Sequence, residues 1–318
     1  MKPSIYFKRN LFSLFLVLIL MISCTKKETP VTGVSLDDYL KSQQDLSLFS
    51  QLVEKAGVSI YKDGAGPFTW FAPTNDGFAA AQISADSINK MTSNFANYLL
   101  MYHLTNGSLR KELDFTMAFS IPRATQIGNT ATTQVHLGRN KDSIYVNGAT
   151  IVRSDVVLNN GFLHVINKFN TPPAFNGNLQ NIITNTGRHS LFIAALQKAG
   201  LWTQFGGSSI FTILAPTDAA MIAAGYPSTT AINALSGTAL TSLTNVCRYH
   251  YFVGARFFSN DFKDGRSPLT ALNPRAFVIS NNGTLIRGTN NTTPGGFSSI
   301  NNLGTNGVIH SITTVLLP

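Results

Sequence analysis

Phe68-Thr69-Trp70-Phe71-Ala72-Pro73-Thr74-Asn75-Asp76 is written a second time as Phe211-Thr212-Ile213-Leu214-Ala215-Pro216-Thr217-Asp218-Ala219, 143 residues later. Two further signatures follow in the same order. Tyr102-His103 returns as Tyr249-His250 after 147 residues, and Asn160-Gly161-Phe162-Leu163-His164 returns as Asn306-Gly307-Val308-Ile309-His310 after 146. Solenoid repeats have periods of about 20–50 residues, so this spacing instead matches a whole globular domain that has been duplicated. Each copy is expected to fold alone.

Within each copy the residues imply local structure. Phe49, Leu52, Val53 and Ala56 sit at helical spacing before Gly57, and Phe192, Ala195, Leu196 and Ala199 repeat that stripe before Gly200. Both segments read as amphipathic helices with a glycine stop. Phe68 to Phe71 and Phe211 to Leu214 read as buried strands that end at Pro73 and Pro216, since proline cannot continue a central ladder. Thr74 and Thr217 then serve as N-caps of a following helix. Asn160-Gly161 and Asn306-Gly307 are turn dipeptides suited to positive φ, each entering an apolar strand.

The recurring histidines admit two readings. Ala96, Leu99, Leu100 and His103 form one apolar helix stripe, and Leu243, Val246, Cys247 and His250 form the other. On that spacing His103 and His250 complete a buried face as hydrogen-bonded core residues, with His164 and His310 also structural. The second reading makes Tyr102, His103, Tyr249 and His250 a binding site. Cys247 reads as a small buried residue.

The second copy has two loops dominated by Asn, Thr and Gly, one holding Asn281 and Asn282, the other Asn290 and Asn291. They offer uncharged donors and acceptors suited to glycans or a protein partner, or are solvated hairpin tips. The first copy runs on through Pro172-Pro173 before the second begins. The domains are therefore placed at 34–173 and 179–318, with a semi-rigid linker at 174–178.

At the N-terminus, Lys2, Lys8 and Arg9 precede an apolar stretch from Leu11 to Ile22 and then Ser23-Cys24. Such a stretch covers about 18 Å as a helix, against about 30 Å of hydrocarbon, so it reads as a secretory signal. Leu20-Met21-Ile22-Ser23-Cys24 resembles a bacterial lipoprotein lipobox, with Met21 where leucine is usual. That reading gives a signal peptide at 1–23, lipidation of Cys24 and a polar tether at 24–33, hence an outer-membrane lipoprotein facing the periplasm or the exterior. An ordinary signal ending beside a cysteine is the plainer alternative.

Net charge is +9, but the basic residues are scattered without a dense run, which gives nucleic-acid binding no support. With two cysteines, Cys24 and Cys247, and the first consumed by lipid, packing must hold each domain without a disulfide. There is no Gly-x-Ser-x-Gly, His-Glu-x-x-His, P-loop or dinucleotide fingerprint. His103 with His164, and His250 with His310, lack an acidic or cysteine ligand recurring beside them, so neither a metal nor a cofactor is expected. Asp86-Ser87-Ile88 and Asp142-Ser143-Ile144 resemble short bacterial O-glycosylation acceptors.

The order of blocks resembles the fasciclin (FAS1) domain. Phe68 to Phe78 and Phe211 to Met221 match its first homology block, and Asn160 to Ile166 and Asn306 to Ile312 its second. The resemblance implies an α+β fold of two tandem domains, each a β-wedge or sandwich flanked by helices, and a non-enzymatic role in cell adhesion or matrix contact. It also implies a partner contact at the Tyr-His region. The function expected is envelope-anchored adhesion or binding of an extracellular protein or polymer, with the membrane engaged through Cys24. The alternatives are a small-molecule or lipid-binding envelope protein, marked by a large cavity lined by Phe and Leu, and an accessory lipoprotein of glycan uptake.

Overall fold

The computed structural model describes residues 33–63, 66–115, 119–264 and 277–318. The signal peptide, the lipidation site Cys24 and the tether up to residue 32 lie outside the described residues. Among the described residues no helix is long and apolar enough to cross a membrane.

The first copy opens with helices Leu36–Ser42 and Ser47–Ala56. Gly57 ends the second in the left-handed region at φ 67°, where a Cβ would be strained. Strands β1 (Phe68–Pro73), β2 (Leu104–Asn106), β3 (Ile121–Arg123), β4 (Val135–Asn140), β5 (Ser143–Val146), β6 (Ala149–Leu158) and β7 (Gly161–Ile166) form one sheet in the order β2-β1-β7-β6-β5-β4-β3. The β1–β7 pair is parallel, and it joins the two repeated sequence blocks side by side with Phe68 opposite Gly161. Every other strand pair in this sheet is antiparallel.

The second copy repeats the plan. Strands β8 (Phe211–Pro216), β9 (Tyr251–Val253), β10 (Val278–Ser280), β11 (Leu285–Arg287), β12 (Gly295–Gly304) and β13 (Gly307–Ile312) order as β10-β11-β12-β13-β8-β9, with β8 and β13 parallel. Thr74 and Thr217 cap the helices that follow β1 and β8, accepting from the Gly77 and Ala220 amides, as their spacing predicts.

Both long strands are bent at one point. Register shifts interrupt β6 between Ile151 and Val156, and β12 between Phe297 and Asn302. Asp155 (φ 59°) and Asn301 (φ 58°) adopt the left-handed conformation there, which Asp and Asn tolerate better than most residues. The bulge curls each sheet, so that one core lies between sheet and helices and a second inside the curl. In the first copy the helix-side core holds Phe49 edge-on to Trp70 at 6.4 Å, and the inner one holds Phe71, Leu137 and Ile166.

The Asn-Gly dipeptides owe their glycine to crowding. A Cβ on Gly161 would stand 1.8 Å from the Phe68 carbonyl oxygen, and one on Gly307 would stand 1.9 Å from that of Phe211. Asn160 and Asn306 bond neighbouring backbone carbonyls, those of Tyr61 and Phe205 among them, and so hold the turn against the helical layer.

The linker is folded. Pro173–Asn176 makes a short helix, Asn176 donates to the Leu303 carbonyl, and the Thr305 amide donates to Gly177. Residues 33–318 form one compact unit.

Candidate functional site

The four repeated histidines are fully buried, and each uses both ring nitrogens on backbone groups. His103 Nε2 accepts from the Asn170 amide at 3.1 Å, which leaves Nδ1–H to donate to the Leu99 carbonyl at 2.9 Å. His250 does the same with Leu316 (2.9 Å) and Val246 (2.7 Å). Each ring thus ties the last turn of a helix to the chain leaving the sheet. The other pair uses the opposite tautomer. His164 Nδ1 accepts from the Asp155 amide at the bulge and its Nε2–H donates to Leu109, while His310 bonds Asn301 and Phe257 likewise. Burial holds His103, His250 and His310 neutral, with pKa values of about 4.

This geometry separates the two readings of the Tyr-His pairs. Tyr102 and Tyr249, like the histidines, have no exposed surface, so all four side chains are out of reach of a partner docking on the folded protein. No ring lone pair is left for a metal either. Among the described residues no group of three His, Cys, Asp or Glu side chains could hold an ion. Cys247 is buried and its thiol pKa is pushed up to about 12, away from the reactive thiolate.

The asparagine loops are similarly committed. Asn291 accepts from the Gly288 and Leu317 amides and donates to Val315, and Asn290 bonds Pro318, so this pair pins the chain end. Asn281 bonds Thr284, and the Asn282 side chain accepts from Lys141 of the other domain at 2.9 Å. Ser87 stands in a capping box with Ser84, and Ser143 lies in β5.

Sequence reasoning missed the surface between the domains. Asp261, with no exposed surface, accepts from the Ser120 amide (2.8 Å), the Ser120 hydroxyl (2.9 Å) and the Phe258 amide (2.8 Å). Phe119 meets Phe257 and His136 meets Phe258 at ring distances of 5.5 and 5.3 Å, and Lys263 donates to the Arg139 carbonyl. Arg256 from the second domain is 8% exposed, bonds the Thr305 carbonyl and faces Tyr102 and His136. Burial, with the Arg256 charge second, lowers the His136 pKa to about 3. Asp261-Phe262 has a counterpart in Asp114-Phe115, but its partners across the junction, Ser120, Phe119 and His136, lie on the other domain, so comparing the repeats gives no signal for the contact.

Two clefts open along this junction. One, of about 390 Å³, lies between Asn140 and Tyr145 of the first domain and Asn260, Asn282 and Phe297 of the second. The other, of about 380 Å³, is lined by six asparagines, Asn147, Asn170, Asn176, Asn185, Asn301 and Asn302, with no acidic side chain. Lys168 and Phe175 complete its rim. Such amides present donors and acceptors together, so the cleft can hold a hydroxyl-rich ligand without a charge match at every contact.

Comparison with known proteins follows the same halves. The Fasciclin domain model matches residues 44–172 and 187–318. The chain is 26% identical to the transforming growth factor-beta-induced protein ig-h3 of Sus scrofa over 88% of its length, and 29% identical to periostin of Homo sapiens over 47%. It spans 37% and 18% of those relatives. The FAS1 domain pair of the insect cell adhesion molecule Fasciclin I aligns over 86% of this chain and 97% of its own, at 16% identity and a TM-score of 0.40.

Proposed function

The chain belongs to the fasciclin family as a tandem pair of its domains, and from that premise we propose a non-catalytic binding protein of the cell envelope, held by lipid at Cys24 and engaged in adhesion or in binding extracellular polymer. The observation that carries this reading is the junction built around Asp261, which fixes two modules as one projecting body. A body tethered at one end offers a constant surface, and two modules held in register can act on one partner with avidity. Family membership supports adhesion, because fasciclin domains occur in adhesion-related proteins.

Protease shaving of intact cells tests the placement. The expected result is loss of the protein together with a surface control, and survival would defeat surface adhesion. Cys24→Ser is expected to move the protein from the membrane fraction to the soluble one. Of the alternatives, the lipid-binding reading requires a cavity lined by Phe and Leu, whereas both junction clefts are rich in amides. That composition favours polymer.

A further inference from the structure

The asparagine-lined cleft combines three features that point to one ligand chemistry. First, its amides are partly free. Among the described residues Asn185 makes no side-chain hydrogen bond, and the Oδ1 atoms of Asn170 and Asn176 accept none, although their Nδ2 groups are fixed on the Val146 and Leu303 carbonyls. The walls are therefore preorganised and still present open polar atoms. Second, Phe175 is 48% exposed and is held edge-on by Phe95 at 5.4 Å and Tyr98 at 5.6 Å, a rigid aromatic ledge at the rim. Third, among the described residues the Lys168 ammonium has no carboxylate and no hydrogen-bond partner.

We propose that this cleft binds a carboxylated saccharide, such as the uronate units of an extracellular polysaccharide, with Lys168 on the carboxylate, Asn176 and Asn185 on ring hydroxyls, and Phe175 against the apolar face of a sugar ring. This rests on the polymer-binding reading above and names its site and ligand class. The Lys168 side chain is open to solvent, yet desolvation around its ammonium lowers its pKa from the ordinary lysine value. An incoming carboxylate would supply the missing counter-charge. A peptide strand would need a row of free backbone donors and acceptors, as at an open sheet edge, whereas the open polar atoms here are scattered side-chain amides around a single cation. The volume, about 380 Å³, falls within the range of small-ligand sites, about 300–1,000 Å³.

Calorimetric titration of the full chain with tetragalacturonate, its methyl ester and neutral maltotetraose tests the proposal. The acid is expected to bind at least about tenfold more tightly than the ester, and Lys168→Gln to remove that difference. Asn185→Ala is expected to weaken the acid about threefold, and 0.5 M salt to weaken only the Lys168-dependent part. Both side chains are exposed, so the fold should survive either change. Equal binding of acid and ester, no effect of either substitution, or displacement by an acidic tetrapeptide at lower concentration would overturn the assignment. Retention of another polymer with both substitutions silent removes the cleft and leaves the proposed function standing. If a panel of envelope and matrix polymers all fail to be retained, both fall.

Discussion

The two domains keep the same side-chain bonds to backbone and exchange much of their apolar content. Thr69 and Thr212 each bridge a carbonyl and an amide of the loop after β2 or β9, at Gly107 and Leu109 or at Ala255 and Phe257. Asn75 and Asp218 both accept from the first turn of the preceding helix, at Leu48 and Leu191. Yet Trp70 stands where the second domain has Ile213, and Leu46 where it has His189. His189 is buried, donates to the Pro216 carbonyl at 2.8 Å and accepts from Ser311 at 2.9 Å, and Ser311 takes the place of Val165. The lesson is physical. An apolar volume can be refilled in several ways, but a buried backbone group that loses its one partner costs about 1–3 kcal/mol.

The comparison breaks most severely at the glycines. Gly161→Ala and Gly307→Ala drive a Cβ into a carbonyl oxygen of the adjacent strand, and each should cost roughly 4 kcal/mol or more, read from urea midpoints. A tolerated alanine at one of the two positions would show that the domains do not share this packing. His103→Ala and His250→Ala come next, at about 3 kcal/mol each, because each strands a buried amide and a buried carbonyl. Matching losses in the two variants are expected.

Acid should act on both domains together. His103, His250 and His310 have folded pKa values of about 4, below the ordinary 6.5, so the unfolded chain binds more protons between those limits. Stability is therefore full above pH 6.5 and falls toward pH 4, by up to about 1.4 kcal/mol per pH unit for each histidine. Asp261 opposes this, since burial raises its pKa and the folded form takes up a proton first as pH drops. Thermal unfolding at pH 7 and pH 5 checks the sign, and a flat profile would refute the neutral rings. The smallest effect should come from importing the first domain's residues into the second. His189→Leu alone should cost about 1–2 kcal/mol, and adding Ser311→Val should recover about 1 kcal/mol of it.

The repeat made much of the fold legible. The glycine-stopped helices, the strands ending in proline, the threonine caps and the inward histidines all follow from short spacings, because they answer to local sterics and to a helix stripe repeated in both copies. The bulges at Asp155 and Asn301 and the curl they impose were not legible, since a left-handed Asp or Asn carries no sequence mark of its own. Of the candidate binding residues, the tyrosines and histidines lie inside, while Asn290 and Asn291 serve the chain end, Asn282 the junction and Asn281 its own turn. The asparagine-lined cleft escaped notice because its walls come from distant segments brought together only by the docking of unlike surfaces.

That docking changes what a duplicated unit can do by itself. Cutting the chain at the linker would uncover the Asp261 carboxylate and the edges of Phe257 and Phe258 that meet Phe119 and His136, while both rings stay rooted in the second module's own core. An apolar patch of that kind tends to stick to copies of itself. Single modules made for binding assays would therefore aggregate or mispair where the joined pair stays discrete, and duplication has left each half dependent on its sibling.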